Sequence, residues 1–353
     1  MLLTYSNDMQ KAMEIKAETA KETDKSNIWF VHTLKINRRN CVIFMNTATR
    51  FSMILWGLKA ADYKKIDFKE QLGNLLREYY INSDIILAYL FDCGDITVAK
   101  NGDRSATAQL NRNAIELKYI QDRLDKGNIL QVDASKWLNN RLFSVDGKYK
   151  YPAEVFFEML KSKYNVPFYN IDMLRLKITL DYPDFEISRE ISLPANMNFY
   201  GLHAAIQSCF NWQNYHLYEF IAYSENGEPV MRIKSEFEDE EFGDIPTKND
   251  TECSVYEMLC KYADIWYIYD MGDYWQHKIE LLEVTKEHEN VVPTCLKVTG
   301  KAPPEDCGGV GGYQELLQQI ADGDKEMIEW AESMKWDEQS AEEISRKLKW
   351  KFR

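Results

Sequence analysis

Two short stretches hold most of the side chains able to do chemistry. YIYDMGDYWQHKIEL, residues 267–281, gathers Asp270, Asp273, Trp275 and His277 about a turn. PPEDCGGVGGY, residues 303–313, carries Glu305 and Asp306 ahead of Gly308, Gly309, Gly311, Gly312 and Tyr313. Carboxylates are hard oxygen donors. Asp270, Asp273, Glu305 and Asp306, joined by His216 and His277, could therefore hold a divalent cation. A metal-dependent hydrolase or nuclease built this way would use His277 as its general base.

Each residue also has a structural use. The strand period puts His277 on one face with Trp275, Ile279 and Leu281, so it is aligned with apolar side chains rather than with solvent. Asp270 and Asp273 bracket Gly272 and can bond neighbouring backbone N–H groups. Glu305 and Asp306 can complement the dipole of the helix expected after the glycines. Those glycines are not a phosphate cradle: no lysine follows them, and position 314 is Gln. A third aromatic stretch, NWQNYHLYEF (211–220), aligns His216, Tyr218 and Phe220 opposite Leu217, Glu219 and Ile221. It suits either a ligand pocket or a core. HExxH, GxSxG and a P-loop are absent, and the five histidines are dispersed at 32, 203, 216, 277 and 288.

These residues need elements to hold them. IWFVHTLKI, CVIFMN and RFSMILWG predict strands, the last stopped by Gly57, with NRRN as a turn. DFKEQLGNLLREYYI predicts a helix capped by Asp67, and NSDIILAYLFD a second short element opened by Asn82 or Ser83. NRNAIELKYIQDRL predicts a third, with Ile115, Leu117, Ile120 and Leu124 apolar, and Pro152 marks another helix start. NVPFYNID is the expected linker, 165–172, separating an N-terminal domain (1–164) from a C-terminal one (173–353). In the latter, MLRLKITL and FEISREISLP alternate as a hairpin. NFYGLHAAIQSCFNW and SVYEMLCKY predict helices, HLYEFIAY a strand, and EFEDEEFGDIPTKND an acidic, solvated loop. The quoted hairpin, a Pro/Gly-rich loop and a helical tail from Tyr313 complete the chain. The fold class expected is α+β in two domains: a small sheet with helices, then a mixed sheet with helices.

Charge divides the same way. Residues 1–170 hold 25 Lys+Arg against 20 Asp+Glu, and 171–353 hold 18 against 36. An acidic half repels phosphate backbones, which directs nucleic acid to residues 1–164 if it binds anywhere. Arg38 and Arg39, near Arg50, Lys59, Lys64 and Lys65, are the candidate contacts, although no RNA-recognition or helix-turn-helix signature accompanies them and a solvated surface is the better reading. Seven dispersed cysteines without a CxxC argue against a disulfide framework or zinc ribbon. No apolar run reaches the roughly 18 residues that span a bilayer. The N-terminus lacks a basic region followed by a long apolar core. A cytoplasmic protein without a membrane partner is expected.

The motifs HLYEF, YDMGDYWQHKIEL, CLKVTGKAPPEDCGGVGGY and WDEQSAEEISRKL, in that order, resemble the plasmid pRiA4b ORF-3-like family over about 171–353. The resemblance implies an α+β fold with a mixed sheet, a link to plasmids and other mobile DNA, and no agreed activity. It carries over His216, Glu219, Asp270, Gly272, Asp273, Trp275, His277, Pro304, Glu305, Asp306, Gly308, Gly309 and Tyr313 as site positions. FEISREISLP departs from a family stretch richer in Trp and Arg; Arg189 alone remains of it. The first half, with TLKINRRNCVIFMN, resembles a bacterial domain family of unknown function. The expectation is thus a ligand- or protein-binding adaptor of accessory DNA, with the metal-dependent hydrolase and the N-terminal nucleic-acid binder as rivals.

Overall fold

Continuous apolar runs and alternating runs build two different sheets in this chain. The computed structural model describes residues 1–18, 25–145, 147–184, 186–235, 245–287, 289–333, 336 and 339–352. It falls into two units, Met1–Asn170 and Ile171–Arg353. Each is α+β.

The first unit runs β1 (Leu2–Tyr5), α1 (Asn7–Met13), β2 (Ile28–Ile36), β3 (Arg39–Asn46), β4 (Ser52–Leu58), α2 (Phe68–Arg77), α3 (Ser83–Asp92), β5 (Thr97–Lys100), α4 (Arg104–Tyr119), α5 (Val132–Asn139), the hairpin β6 (Phe143–Val145) and β7 (Lys148–Lys150), and α6 (Pro152–Lys163). The sheet order is β4-β3-β2-β1-β5, with β1 parallel to both neighbours. Successive residues of β2 to β4 enter opposite cores. Trp29, Val31 and Phe44 pack with α2, α3 and α6; Phe30, Ile43 and Ile54 pack with α4 and α5. A sheet covered on both faces reads as unbroken apolar sequence. Asp67 caps α2 by accepting from the Glu70 N–H, and Asn82 caps α3 from the Asp84 N–H.

Several expectations shift here. β4 continues one residue past Gly57. Ile115 is 56 % exposed, while Leu117, Ile120 and Leu124 are buried. Of the stretch 165–172, Phe168 is buried in the first core and its C=O accepts from the Asn82 N–H. Ile171 and Asp172 already belong to the next strand.

The second unit runs β8 (Ile171–Leu180), β9 (Ile187–Pro194), α7 (Phe199–Phe210), β10 (Tyr218–Tyr223), β11 (Pro229–Lys234), β12 (Thr247–Asn249), α8 (Val255–Lys261), β13 (Asp264–Tyr269), β14 (Trp275–Glu287), β15 (Thr294–Thr299), α9 (Gly309–Ala321), α10 (Lys325–Ser333) and α11 (Ala341–Lys351). Its sheet is ordered β12-β11-β10-β13-β14-β8-β9-β15, antiparallel except for β11 with β12. One face, with Leu174, Leu176, Ile178, Ile191 and Ile279, packs under α7, α9 and α11. Each such aliphatic side chain contributes about 1.5–3 kcal/mol by leaving water. The other face carries cross-strand ion pairs: Arg175 with Glu190 (2.7 Å), Lys177 with Glu186 (2.8 Å) and Lys278 with Asp264 (2.9 Å). Nine residues of the acidic stretch, 236–244, lie outside the described residues, as do His288 and Phe185. The end of that stretch departs from the solvated loop expected: Thr247–Asn249 forms β12, and Asp250 is buried, accepting the Tyr218 hydroxyl hydrogen.

Candidate functional site

The candidate residues collect at one end of the second sheet, where the chain enters β10, turns from β13 to β14, and leaves β15 for α9. Asn211 ends α7 in the left-handed region (φ 63°) and lets the chain reverse sharply. Trp212 then stacks on Tyr269 of β13 with centroids 4.9 Å apart and donates its Nε1–H to the Pro303 carbonyl at 2.9 Å. The diproline loop is therefore tied to the aromatic core before its carboxylates begin.

Those carboxylates separate by task. Glu305 is buried; it accepts the Tyr269 hydroxyl hydrogen on one oxygen and the Gln213 N–H on the other at 2.7 Å. Burial and this neighbouring carboxylate push the Tyr269 phenol well above its ordinary pKa, keeping the donor protonated. Asp273 accepts the Gly308 N–H at 3.1 Å, beside the start of α9. Asp273, rather than Glu305 or Asp306, thus caps the helix and complements its dipole. The glycines serve the same junction. A Cβ on Gly309 would lie 2.7 Å from the Asp273 carbonyl oxygen, and one on Gly312 would overlap the Cys307 carbonyl at 1.8 Å. Close approach of backbone to backbone explains Gly309 and Gly312, and a positive φ of 87° explains Gly308.

Asp270 and Asp306 do otherwise. Asp270 uses Oδ1 to accept the Gly272 N–H at 2.9 Å and leaves Oδ2 toward His216, 3.6 Å from Nε2. Asp306 Oδ1 lies 2.9 Å from the same nitrogen. The three ligand atoms fall within 4.8 Å of one another, the one such group of three among the described residues. Both aspartates have φ of 59°, a region costly for most side chains and best tolerated by Asp and Asn. The His216 Nε2 is buried, and neither carboxylate oxygen meets it in hydrogen-bond alignment.

His277 is elsewhere. It has no exposed surface and is enclosed by the rings of Phe210 (4.7 Å), Trp212 (5.4 Å) and Tyr267 (5.4 Å). Neither ring nitrogen makes a hydrogen bond of good geometry, although the nearby Tyr267 and Trp275 main chain slightly favours the proton. Desolvation wins and holds its pKa down at about 3. A neutral imidazole sealed in an aromatic box has no route to a metal-bound water. The strand alternation placed this residue; it did not give it a reactant.

The remaining expected positions pack or pair. Trp275 and Tyr313 are fully buried, the Tyr313 hydroxyl donating to the Lys301 carbonyl at 2.9 Å. Glu219 projects to the charged face of the sheet and pairs with Arg232 at 2.9 Å. In the first unit Asn37 and Arg38 both have positive φ and form the β2–β3 turn. Arg39 covers the Trp56 ring at 5.1 Å. Arg50 leaves the supposed basic patch: it is buried, donating to the Thr47 carbonyl and to Ser105 Oγ.

The polar centre around His203 was missed. His203 stacks on Tyr218 at 3.5 Å and bonds Tyr267 Oη (2.9 Å) and Asn214 Oδ1 (2.8 Å), while Gln207 donates to the same Tyr267 oxygen at 3.0 Å. The period-two pair Tyr267 and Tyr269 in YIYD was the available signal. Arg189 faces the core and donates to the carbonyls of Ser188, Cys209, Thr299 and Gly300. It borders a cavity of about 80 Å³ with Phe210, Lys301, Pro303 and Glu305. All seven cysteines are free thiols. No helix among the described residues is long and apolar enough to cross a membrane.

Comparison with known proteins agrees with this division. Residues 172–344 match the family described as plasmid pRiA4b ORF-3-like protein, and residues 2–155 match a domain of unknown function, DUF6933. The uncharacterized protein y4hQ of Sinorhizobium fredii (strain NBRC 101917 / NGR234) is 32% identical over 178 residues, 48% of this chain and 86% of the relative. A crystal structure of a protein of unknown function, MM3350 from Methanosarcina mazei Go1, is similar at 30% identity, with a TM-score of 0.40, over 45% of this chain and 89% of that one. The chain belongs, through its second unit, to the plasmid pRiA4b ORF-3-like family.

Proposed function

We propose that this is a binding protein rather than a hydrolase, and that its second unit takes a divalent cation at His216, Asp270 and Asp306. The observation that supports this most directly is the approach of one imidazole nitrogen and two carboxylate oxygens to within 4.8 Å from three separate loops. One nitrogen and two oxygens is a donor set for Zn²⁺, Mn²⁺ or Co²⁺ rather than for Ca²⁺, which prefers more oxygens. A cation there would join the β10 entrance, the β13–β14 turn and the diproline loop. Against the hydrolase reading stand the enclosure of His277, the engagement of both Glu305 oxygens by Tyr269 and Gln213, and the use of one Asp273 oxygen on the Gly308 N–H. Metal-ordered loops beside an aromatic core suit an adaptor that presents a surface to a protein or a small molecule. A cytoplasmic location and a role on accessory or mobile DNA belong to the same proposal; the family's name supports the second.

The test is thermal unfolding of the full chain with each metal. A ligand at 100 times its dissociation constant stabilises by about 2.7 kcal/mol, so Mn²⁺ or Zn²⁺ raises the Tm of the native protein. His216→Ala and Asp306→Asn abolish the rise, while Glu219→Gln keeps it. No shift with any of the three metals, or a shift that survives His216→Ala, overturns the cation site.

A further inference from the structure

The charge balance of the second half conceals a local reversal. Four of its bases, Arg346, Lys347, Lys349 and Lys351, lie within six residues of α11, in a half that carries twice as many acids as bases. Among them stands Trp350, 84 % exposed, while Trp212 and Trp275 of the same unit are buried. Helical spacing places Arg346, Lys347, Trp350 and Lys351 side by side. They form one wall of an open groove of about 680 Å³, with Ser208 of α7 and Gln339 opposite. Glu343 lines the groove too, at the end where it is engaged as the cap partner of Ser340. Lys347 bonds Asn211 Oδ1 at 2.7 Å, at the end of α7.

We infer that this face of α11 binds single-stranded nucleic acid. A bare indole flanked by cations offers a stacking platform for one base and counter-charges for the neighbouring phosphates. A duplex would hide the base faces that the ring needs. An anionic membrane fits less well, because interfacial helices insert an apolar face. The apolar face of α11, Ile344 and Leu348, is already fully buried in the core of its own unit. Complementary dipole charge explains Lys349 and Lys351 in the last turn. It does not explain an exposed tryptophan between them.

Fluorescence anisotropy of a fluorescein-labelled oligothymidylate of about 20 nucleotides, with the full chain, decides the matter. The native protein binds, and affinity falls steeply between about 50 and 200 mM salt. Trp350→Ala weakens binding about fivefold or more. Arg346→Ala reduces the slope of log K against log salt by about 0.7. Trp350→Phe, which keeps a ring, restores most of the affinity and guards against a merely misfolded helix. Arg38→Ala/Arg39→Ala leaves binding unchanged. Absence of binding at low salt, equal binding by Trp350→Ala, or loss of binding in the Arg38/Arg39 variant overturns the inference. So does binding to phosphatidylserine vesicles that is lost in Trp350→Ala, by a protein that does not bind the oligonucleotide. The cation site is untouched by these variants, so the two proposals fail separately.

Discussion

The two units treat their sheets differently, and the difference shows where a site can form. In the first, β2, β3 and β4 are buried on both faces, and several polar side chains left inside are held by backbone, while Asn113 bonds Ser52 Oγ. Asn139 bonds both the N–H and C=O of Ser52, Ser135 donates to the Gln131 carbonyl and accepts from the Ile54 N–H, and Asn46 accepts from the N–H groups of Ala48 and Thr49. In the second, one face is core and the other a ladder of ion pairs. Its loops at one end of the sheet are not needed to close a second core. They bring His216, Asp270 and Asp306 together, with both aspartates at positive φ. Covering a sheet twice gives rigidity and leaves few polar groups to spare; covering it once leaves an end where polar groups can converge.

Truncations of adjacent residues break this comparison most sharply if it is false. In β3, Ile43→Ala and Phe44→Ala should both destabilise, by about 2–5 and 3–5 kcal/mol, since each neighbour enters a core. In β8 only one of two neighbours should matter. Leu176→Ala costs about 2–5 kcal/mol, whereas Lys177→Ala, whose pair with Glu186 faces solvent, costs at most about 1 kcal/mol. Urea unfolding measures all four; equal losses at 176 and 177 would show both faces of the second sheet to be covered.

Acid sensitivity sharpens the contrast next. His277 and His203 have folded pKa values lowered to about 3 and about 4 by burial, against 6.5 for the free side chain. Below pH 6.5 the unfolded chain takes up protons that the folded one refuses. Stability is therefore complete above pH 6.5 and falls as pH drops toward those values, by up to about 1.4 kcal/mol per pH unit for each histidine. His277→Leu should flatten the slope by its share, measured as urea midpoints between pH 4 and 7; an unchanged slope would place the effect elsewhere. Smaller still, Asp67→Ala removes the cap of α2 and should cost about 1 kcal/mol. Smallest, Arg175→Ala breaks an exposed pair with Glu190 and should cost well under 1 kcal/mol.

Much of this architecture was legible. Alternation in MLRLKITL and WQHKIEL predicts the strands and their inward residues, and Asp67 marks a helix start; Asp270 bonds the neighbouring Gly272 N–H, whereas Asp273 reaches the distant Gly308. Ile115 was misread because an apolar residue on a helix need not meet the core when the next turn carries enough of its own. Asp250 stands at the end of an acidic stretch but is flanked by Lys248, Asn249 and Thr251, and only packing shows that it meets Tyr218. A charge sum over the 183 residues of the second unit averages away the six-residue basic cluster of α11, which only the helix makes into one face.

By itself the sequence determined the α+β class, the longer strands and helices and much of the pattern that sends side chains inward, because period and composition act locally and are written in order; β1, β5 and β12 are too short to carry either signal. Which carboxylates converge was decided only by tertiary structure. Glu305 and Asp306 are adjacent in the chain, yet one is drawn into the aromatic core by Tyr269 and Gln213 while the other turns outward to His216. Backbone φ at a single residue and the partners brought from far along the chain set that choice, and neither is encoded in spacing.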